Sequence, residues 1–593
     1  MPKIDGVTRT LARLLEHLHA EGHEAMVLGP DTGLTEYLGH PVVGTFGIPI
    51  LVYPGLKLNF ARLRFMRRLQ QFRPDVVHFV DPIWLGAQML FIVKQVLPGV
   101  PCVSSYHTNL PTYASLFGMP FLEPVMWGLI RSLHLQCDMV FCPSESTRRM
   151  LVSKGFRNVE IWSRGVDTDM FTPQARDENL RTGWGCKPKS QALLDTLHDQ
   201  AVTSSIMPRK NEMDPFIRTP DSLPLCDFSP PPAYESISDL PPLPGAGFTL
   251  PPAVVPQINS VLSRLSNEPN LVTDAAGATA INNDSKAVVL FVGRISWEKN
   301  IRLLIEAFRL LPVSVRDSAK LVIVGDGPAR AELTRLCARY GLDAAFMGHQ
   351  KGKRLASMYA SSSIFAFPSF TETFGQVVLE ALASGLPVVG LHAEGTSDLV
   401  CHGITGLLLD VQRVLSANTW SSEATQSTQQ RHNSLAECLG AHAPQEQPQL
   451  SAPSGRAVPV AASSTLKAGL PTPIPSVKEF ASALAPSSQS FIQCAQAYSI
   501  LLERLIRDRT LRATMGQRAQ QYASNKTWWD AMDAPVRGYE QVIATAGQTN
   551  LSDAELEALR NVQRRTAPLS GPIAQGIVLL YLVMFICLWS ILL

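Results

Sequence analysis

At 593 residues the chain is too long for one ordinary domain, and an apolar fraction of 46% is enough to fill two or more cores. A formal net charge of +2 argues against nucleic acid as a partner, because no whole-chain field attracts it. The ten cysteines stand singly, as at Cys102, Cys226, Cys337 and Cys494, which argues against a secreted disulfide scaffold.

Residues Met1–Leu28 hold no cleavable apolar core with a small-residue exit, so no signal peptide is expected. Leu11, Leu14, Leu15 and Leu18 follow helical spacing, and His23–Leu28 then reads as a short strand. Leu58–Gln71 reads as a basic amphipathic helix, Asp75–Val80 as a buried strand and Trp84–Val96 as a helix. Further strands are expected at Pro101–Tyr106, Asp138–Cys142 and Val159–Trp162. Cys137 and Cys142 read as buried thiols, since no matching His or Cys pair follows to complete a metal set. Strand–helix alternation predicts a parallel, doubly wound sheet over residues 1–186.

Residues 187–286 change character. They are rich in Pro, Ser and Asn, with clusters at Ser229–Pro232 and Leu240–Pro244. Such a stretch buries too little apolar surface to offset its ordering entropy and is expected to be disordered. A second alternating block spans 287–411, with strands at Ala287–Val292, Lys320–Val324, Ala345–Met347, Ser363–Phe367 and Leu386–Val389. The fold class is therefore α/β, with two Rossmann-like domains. Residues 412–488 are expected to be disordered again, and 489–545 to be helical, with Trp528, Trp529 and Tyr539. From Thr566 to Leu593 there is no charged residue, and 571–593 is long enough to cross a bilayer as one helix. Arg560, Arg564 and Arg565 precede it and should stay cytosolic. The expectation is a single-pass C-terminal anchor in the endoplasmic reticulum or mitochondrial outer membrane, with the body in the cytosol.

The strand Ala287–Val292 runs into Gly293-Arg294-Ile295-Ser296-Trp297-Glu298-Lys299-Asn300. A glycine here lets the chain turn at the carboxyl edge of the sheet, where ligands bind in open α/β folds. Arg294 and Lys299 put two cations there. The strand Ser363–Phe367 leads into Pro368-Ser369-Phe370-Thr371-Glu372-Thr373-Phe374-Gly375-Gln376, and a helix follows. Cations and the free amides of a helix N-terminus suit a diphosphate leaving group, because they need little reorganisation as charge develops. Gly375 permits close approach of the backbone. Glu372 in the loop can accept from sugar hydroxyls, and Glu380, inside the helix, from ribose hydroxyls.

Gly-Arg followed by Lys, then Gly325-Asp326-Gly327-Pro328, then two glutamates and the run Glu380–Val389, together resemble family 4 of the retaining GT-B glycosyltransferases. The resemblance covers 1–184, 287–410 and the closing helices around Trp528. It implies a GT-B fold in which two Rossmann-like domains face a cleft, a nucleotide-diphosphate sugar as donor, and no metal or other cofactor. It implies that Arg294 and Lys299 hold the diphosphate and that Glu380 holds the ribose. Glu372 contacts the sugar with Thr373, Phe374, Gly375 and Gln376 of the same loop. Gly293 and Gly6 border the donor, and Gly348 and His349 lie near the base. His107, in Ser105-Tyr106-His107-Thr108-Asn109, matches the family's histidine and is expected, with Glu372, to be catalytic. Arg164–Phe171 resembles the interdomain loop, so Asp167 and Asp169 are not read as a metal-binding DxD.

The first domain resembles that of enzymes acting on diacylglycerol-type lipids. His17–Pro30, Tyr106–Gly118 and Arg164–Arg176 lean toward GDP-mannose-dependent glycolipid mannosyltransferases; the alternative is a UDP-sulfoquinovose:diacylglycerol sulfoquinovosyltransferase. The partners implied are a nucleotide sugar, a lipid acceptor and a membrane. The arginines Arg62, Arg64, Arg67 and Arg68 fit either an anionic headgroup contact or a solvated helix face. The family carries a strand before the turn at Gly6, and five residues are too few for it, so the expectation is either a sequence truncated at its N-terminus or an incomplete sheet. A rival of another class is a membrane-anchored scaffold without activity. Pro231-Pro232-Ala233-Tyr234 has the form of a WW-domain ligand, but the intact donor residues favour the enzyme.

Overall fold

The computed structural model describes residues 6–49, 57–116, 120–186, 286–416 and 473–548. The first block opens with the helix Gly6–Ala20, which buries Leu14 and Leu15. Strands β1 (Val27–Pro30), β2 (Glu36–Tyr37) and β3 (His40–Thr45) form a small mixed sheet in the order β1-β3-β2. Strands β4 (Gly47–Pro49) and β5 (Lys57–Asn59) pair as an antiparallel ribbon. A four-stranded parallel sheet follows, from β6 (Val77–Val80), β7 (Cys102–Ser105), β8 (Met139–Cys142) and β9 (Val159–Ile161) in that order. All four residues of β7 and of β8 are buried, as expected for strands covered on both faces. Among the described residues no pairing joins β1 to β6, so the strands of this block lie in separate sheets.

The second block is one parallel sheet of six strands: β10 (Ala287–Val292), β11 (Ala319–Val324), β12 (Ala344–Phe346), β13 (Ile364–Phe367), β14 (Val388–Leu391) and β15 (Gly406–Leu409). Their order is β12-β11-β10-β13-β14-β15. The chain steps outward one way from β10 and returns on its other side at β13, so the order reverses between these two strands. That reversal is where open α/β sheets form a ligand crevice. Phe291 and Phe365 both stack on Phe367, at centroid distances of 6.1 and 5.8 Å, which fixes the middle of the sheet.

The helices Gln489–Arg507 and Arg509–Ser524 pack on the second block, where Tyr498 donates to the Val389 carbonyl at 2.7 Å. The last described helix, Trp528–Gln548, returns to the first block. Its Trp528, Met532 and Tyr539 pack with Leu14, Val103, Phe141 and Trp162. Gly538 allows this approach, since a Cβ there would sit 2.5 Å from the Phe141 ring.

Three expectations need correction. The basic helix runs Leu63–Phe72 rather than from Leu58, because Lys57–Asn59 pairs as β5; Phe65 and Leu69 alone provide its buried stripe. The strands β2 to β5 and β15 have no counterpart among the expected elements. They are short, and some pair only locally. Finally, the stretch 412–488 is not wholly without structure. It holds the helix Val477–Ala483, opened by a capping box in which Glu479 N–H donates to Ser476 Oγ at 3.3 Å and Ser476 N–H donates to Glu479 at 2.6 Å. Phe480 stacks on Phe370 at 5.2 Å. Surrounding prolines and serines masked this signature. Among the described residues no helix is long and apolar enough to cross a membrane. The expected span 571–593 and the Pro231, Pro232, Tyr234 motif lie outside the described residues.

Candidate active site

The loops at the carboxyl edges of β10, β11 and β12 interleave. Ile295 N–H donates to Asp326 O at 3.0 Å, Ala329 N–H to Ile295 O at 3.1 Å, and Gly325 N–H to Gly348 O at 2.9 Å. Gly325, at φ +140°, makes this possible, since a Cβ there would overlap the Gly293 carbonyl oxygen. Asp326, Gly327, Pro328, Arg330 and Phe346 line an open groove of about 690 Å³ beside these turns. His349, expected near the base, is exposed at this edge.

On the other side of the reversal, the loop after β13 is tied to the loop after β10. Asn300 donates to Pro368 O at 3.3 Å, Thr371 Oγ1 to Glu298 O at 3.4 Å, and Lys299 Nζ is ion-paired with the Glu372 carboxylate. Thus the predicted cation and the predicted sugar-binding carboxylate meet across the switch point. Arg294 is exposed, and its side chain makes no hydrogen bond or ion pair among the described residues. Gly375, at φ +90°, caps the helix Gln376–Ala383 in the left-handed conformation glycine favours. The first turn of such a helix leaves N–H groups without intrahelical partners.

The first block closes on this loop. Thr373 Oγ1 donates to His107 O at 3.2 Å, Thr147 Oγ1 to Thr373 O at 3.3 Å, and Gln376 Nε2 to Gly165 O at 3.0 Å. Ser146 N–H donates to Asp398 at 3.0 Å, and its hydroxyl binds the same carboxylate. His107 follows β7 and is buried. Its N–H donates to Asp81 Oδ1 at 2.8 Å, and Thr108 donates to Oδ2 at 3.0 Å. Burial lifts the Asp81 carboxyl to about 6 against the pull of these hydrogen bonds. Burial first, then the nearby Arg164 charge, holds the His107 imidazole well below its ordinary pKa, so it is neutral. Arg164 lies over the Phe374 ring at 5.8 Å. Gly6 makes room for it, since a Cβ there would sit 2.8 Å from Arg164 Nη1. Gly6 therefore borders the site through this arginine.

Glu380 is only 2% exposed. Its Oε1 accepts from Arg9 Nη1 at 2.9 Å and its Oε2 from the Tyr359 hydroxyl at 3.3 Å. Burial raises its pKa, with Arg9 opposing. Arg9 stands three residues after Gly6 and also lies 5.7 Å from the Trp528 ring centre. The glutamate expected at the ribose thus holds a pair between the two blocks. Because its folded pKa is raised, Glu380 costs stability as pH rises through that value, and without Arg9 the value rises further. Arg9→Ala is expected to cost about 1–3 kcal/mol at pH 8 and less at pH 4, below the ordinary glutamate value, where Glu380 takes up a proton. Urea unfolding at both pH values checks this; an equal loss would contradict it.

Arg9, Asp81 and Tyr359 are site residues that the sequence motifs do not single out, and Arg164 opens the interdomain-loop motif without a role assigned to it there. Arg9 offers one signal, its place in the first turn after Gly6. Asp167 accepts from Met170 N–H at 3.0 Å and closes a turn. Among the described residues no group of three or more His, Cys, Asp or Glu is placed to hold a metal ion.

Comparison with known proteins shows the family. A model described as Glycosyltransferase Family 4 matches residues 4–170, and one described as Glycosyl transferases group 1 matches residues 278–432. The GDP-mannose-dependent alpha-mannosyltransferase of Mycobacterium tuberculosis is 31% identical over 417 residues, which is 69% of this chain and 82% of the relative. The sulfoquinovosyl transferase of Arabidopsis thaliana is 26% identical over 415 residues, covering 69% of this chain and 61% of the relative. Among solved structures, sucrose-phosphate synthase from Thermosynechococcus elongatus aligns with a TM-score of 0.51 at 13% identity, covering 91% of this chain and 94% of that one. That last likeness concerns the fold alone.

Proposed function

The chain belongs to the family 4 glycosyltransferases, and we propose that it moves a hexose from a nucleotide-diphosphate sugar, GDP-mannose first among them, to a lipid acceptor. The observation that carries this reading is the Lys299–Glu372 pair, set where the strand order reverses and beside the N-terminus of the helix Gln376–Ala383. A diphosphate entering there meets Lys299, Arg294 and helix amides. Lys299 then has a stronger anionic partner, and Glu372 is released to accept from sugar hydroxyls. Glu380 takes the ribose hydroxyls on release from Arg9.

In the proposed step the acceptor hydroxyl attacks the face from which the diphosphate leaves. The bond from the anomeric carbon to phosphate oxygen breaks, the new glycosidic bond forms, and the hydroxyl proton passes to the leaving phosphate oxygen. The configuration is retained, no protein nucleophile is assigned, and no cofactor beyond the donor is invoked. The blocks exclude water by closing over the donor. Similarity to GDP-mannose-dependent enzymes at 31% identity supports the choice of donor. The uncharged run Thr566–Leu593 after Arg564 and Arg565 supports a membrane tether that brings the site to a lipid.

Similarity to a sulfoquinovosyl transferase favours one second reading, with UDP-sulfoquinovose as donor and diacylglycerol as acceptor. A donor screen separates them. Membranes carrying the full chain are given diacylglycerol lipids with GDP-mannose, UDP-glucose or UDP-sulfoquinovose. Mannosyl lipid from GDP-mannose is expected. Product from UDP-sulfoquinovose alone would establish the second reading, and no product from any donor would overturn both.

A further inference from the structure

A chain of four polar groups runs from the last described helix to the site. The Tyr539 hydroxyl is 2.7 Å from His78 Nδ1, His78 Nε2 is 2.9 Å from Ser105 Oγ, and Ser105 Oγ is 2.9 Å from His107 Nε2. Ser105, His107 and Tyr539 are buried, and His78 sits among the rings of Phe141, Trp162 and Tyr539. His107 Nδ1 is buried with no hydrogen-bond partner among the described residues.

Each link carries one proton, so the chain runs in one of two polarities unless Ser105 accepts from both rings, which leaves its own proton and the His107 Nδ1 lone pair unmatched among the described residues. In the first, Tyr539 donates to His78 Nδ1, His78 Nε2–H donates to Ser105, and Ser105 donates to His107 Nε2. His107 then carries its proton on Nδ1, and that N–H is the single unmatched group. In the second, every arrow reverses. His107 Nε2–H donates to Ser105, Ser105 to His78 Nε2, and His78 Nδ1–H to the Tyr539 oxygen. The Tyr539 proton then has no acceptor among the described residues, and the Nδ1 lone pair of His107 is unmatched as well. Each arrangement leaves one buried donor unmatched, so the first is favoured by the His107 Nδ1 lone pair that the other leaves unmatched besides, at about 1–3 kcal/mol, or about fivefold or more. Double protonation of either ring is opposed by burial, which takes His78 to about 3 and His107 well below its ordinary value.

We infer that Tyr539 is a positioning residue which fixes the tautomer of His107, so that the ring offers Nδ1–H as a hydrogen-bond donor to an oxygen of the bound sugar. The sugar as ligand rests on the proposed function; the tautomer does not. His107 is then no base for the acceptor hydroxyl, which leaves proton uptake to the departing phosphate. Its carbonyl is held by Thr373 of the donor loop, which places the residue beside the sugar. Tyr539 reaches this network from 461 residues away in sequence, so docking of the final helix and the polarity of the site are one event.

The test is nitrogen NMR of the full chain labelled with ¹⁵N-histidine, the His107 signals being assigned by their loss in His107→Asn. Wild-type protein is expected to show His107 protonated on Nδ1. In Tyr539→Phe the Nε2–H form should grow in, and kcat/KM should fall about tenfold. His107→Asn, whose amide nitrogen falls near Nδ1, should retain more activity than His107→Gln, whose nitrogen falls near Nε2. An Nε2–H tautomer in the wild type, or an unchanged tautomer in Tyr539→Phe, would overturn the inference. Because the wild-type spectrum alone decides the tautomer, poor folding of Tyr539→Phe leaves the test intact. An Nδ1–H tautomer in a chain that transfers no sugar would keep the role of Tyr539 and refute the proposed function instead.

Discussion

Replacing Lys299 by alanine is expected to lower kcat/KM for sugar transfer by about 10²-fold or more, the range seen when a preorganised charge stabiliser is removed from an active site. Lys299 is 15% exposed as a side chain, so its charge acts in a medium less screening than bulk water. Alanine also leaves Glu372 facing the diphosphate with no cation between them, so repulsion adds to the lost attraction. Arg294→Ala is expected to fall in the same range, because an exposed arginine without a partner among the described residues is free to meet an incoming diphosphate. Initial rates with circular dichroism as a folding control check both. Full activity in both variants would contradict the donor-site assignment.

The second large effect is on stability. Gly325→Ala places a methyl group onto the Gly293 carbonyl oxygen, a neighbour fixed in the backbone after β10. The three interleaved turns cannot all persist, and a loss of about 3 kcal/mol or more is expected. Gly341→Ala is the control. That glycine also has positive φ, +60°, but a Cβ there meets nothing within 4 Å, so only backbone strain of about 1–2 kcal/mol is expected. Urea midpoints of the two variants measure the difference. Equal losses would mean that close approach of the turns contributes nothing.

The second block was legible in the sequence because most of its strands are short, buried runs, several of them followed by a glycine turn, and its site residues sit directly after them. Lys299 and Glu372 are apart in sequence by 73 residues, yet each follows a strand, and the strands are neighbours in the sheet. Reading both loop motifs was therefore enough to bring them together. Arg9 and Tyr539 were not legible in this way. Their partners, Glu380 and His78, lie 371 and 461 residues away, on different elements. Nothing in local periodicity tells which face of the first helix meets the second block, or that the last helix crosses back to the first. The extra strands β2 to β5 escaped for another reason: such short strands carry too few alternations to set a period. The helix Val477–Ala483 had a clear cap but stood in a proline- and serine-rich context that outweighed it.

Calorimetric titration of GDP and UDP into the full-length chain tests the central claim most directly, since it asks whether the crevice between β10 and β13 is a nucleotide-diphosphate site, independently of any acceptor. GDP is expected to bind more tightly than UDP, and its affinity to fall about tenfold or more in Lys299→Ala and in Glu380→Ala. Binding of neither nucleotide to the wild type, or affinities unchanged in both variants, would contradict it.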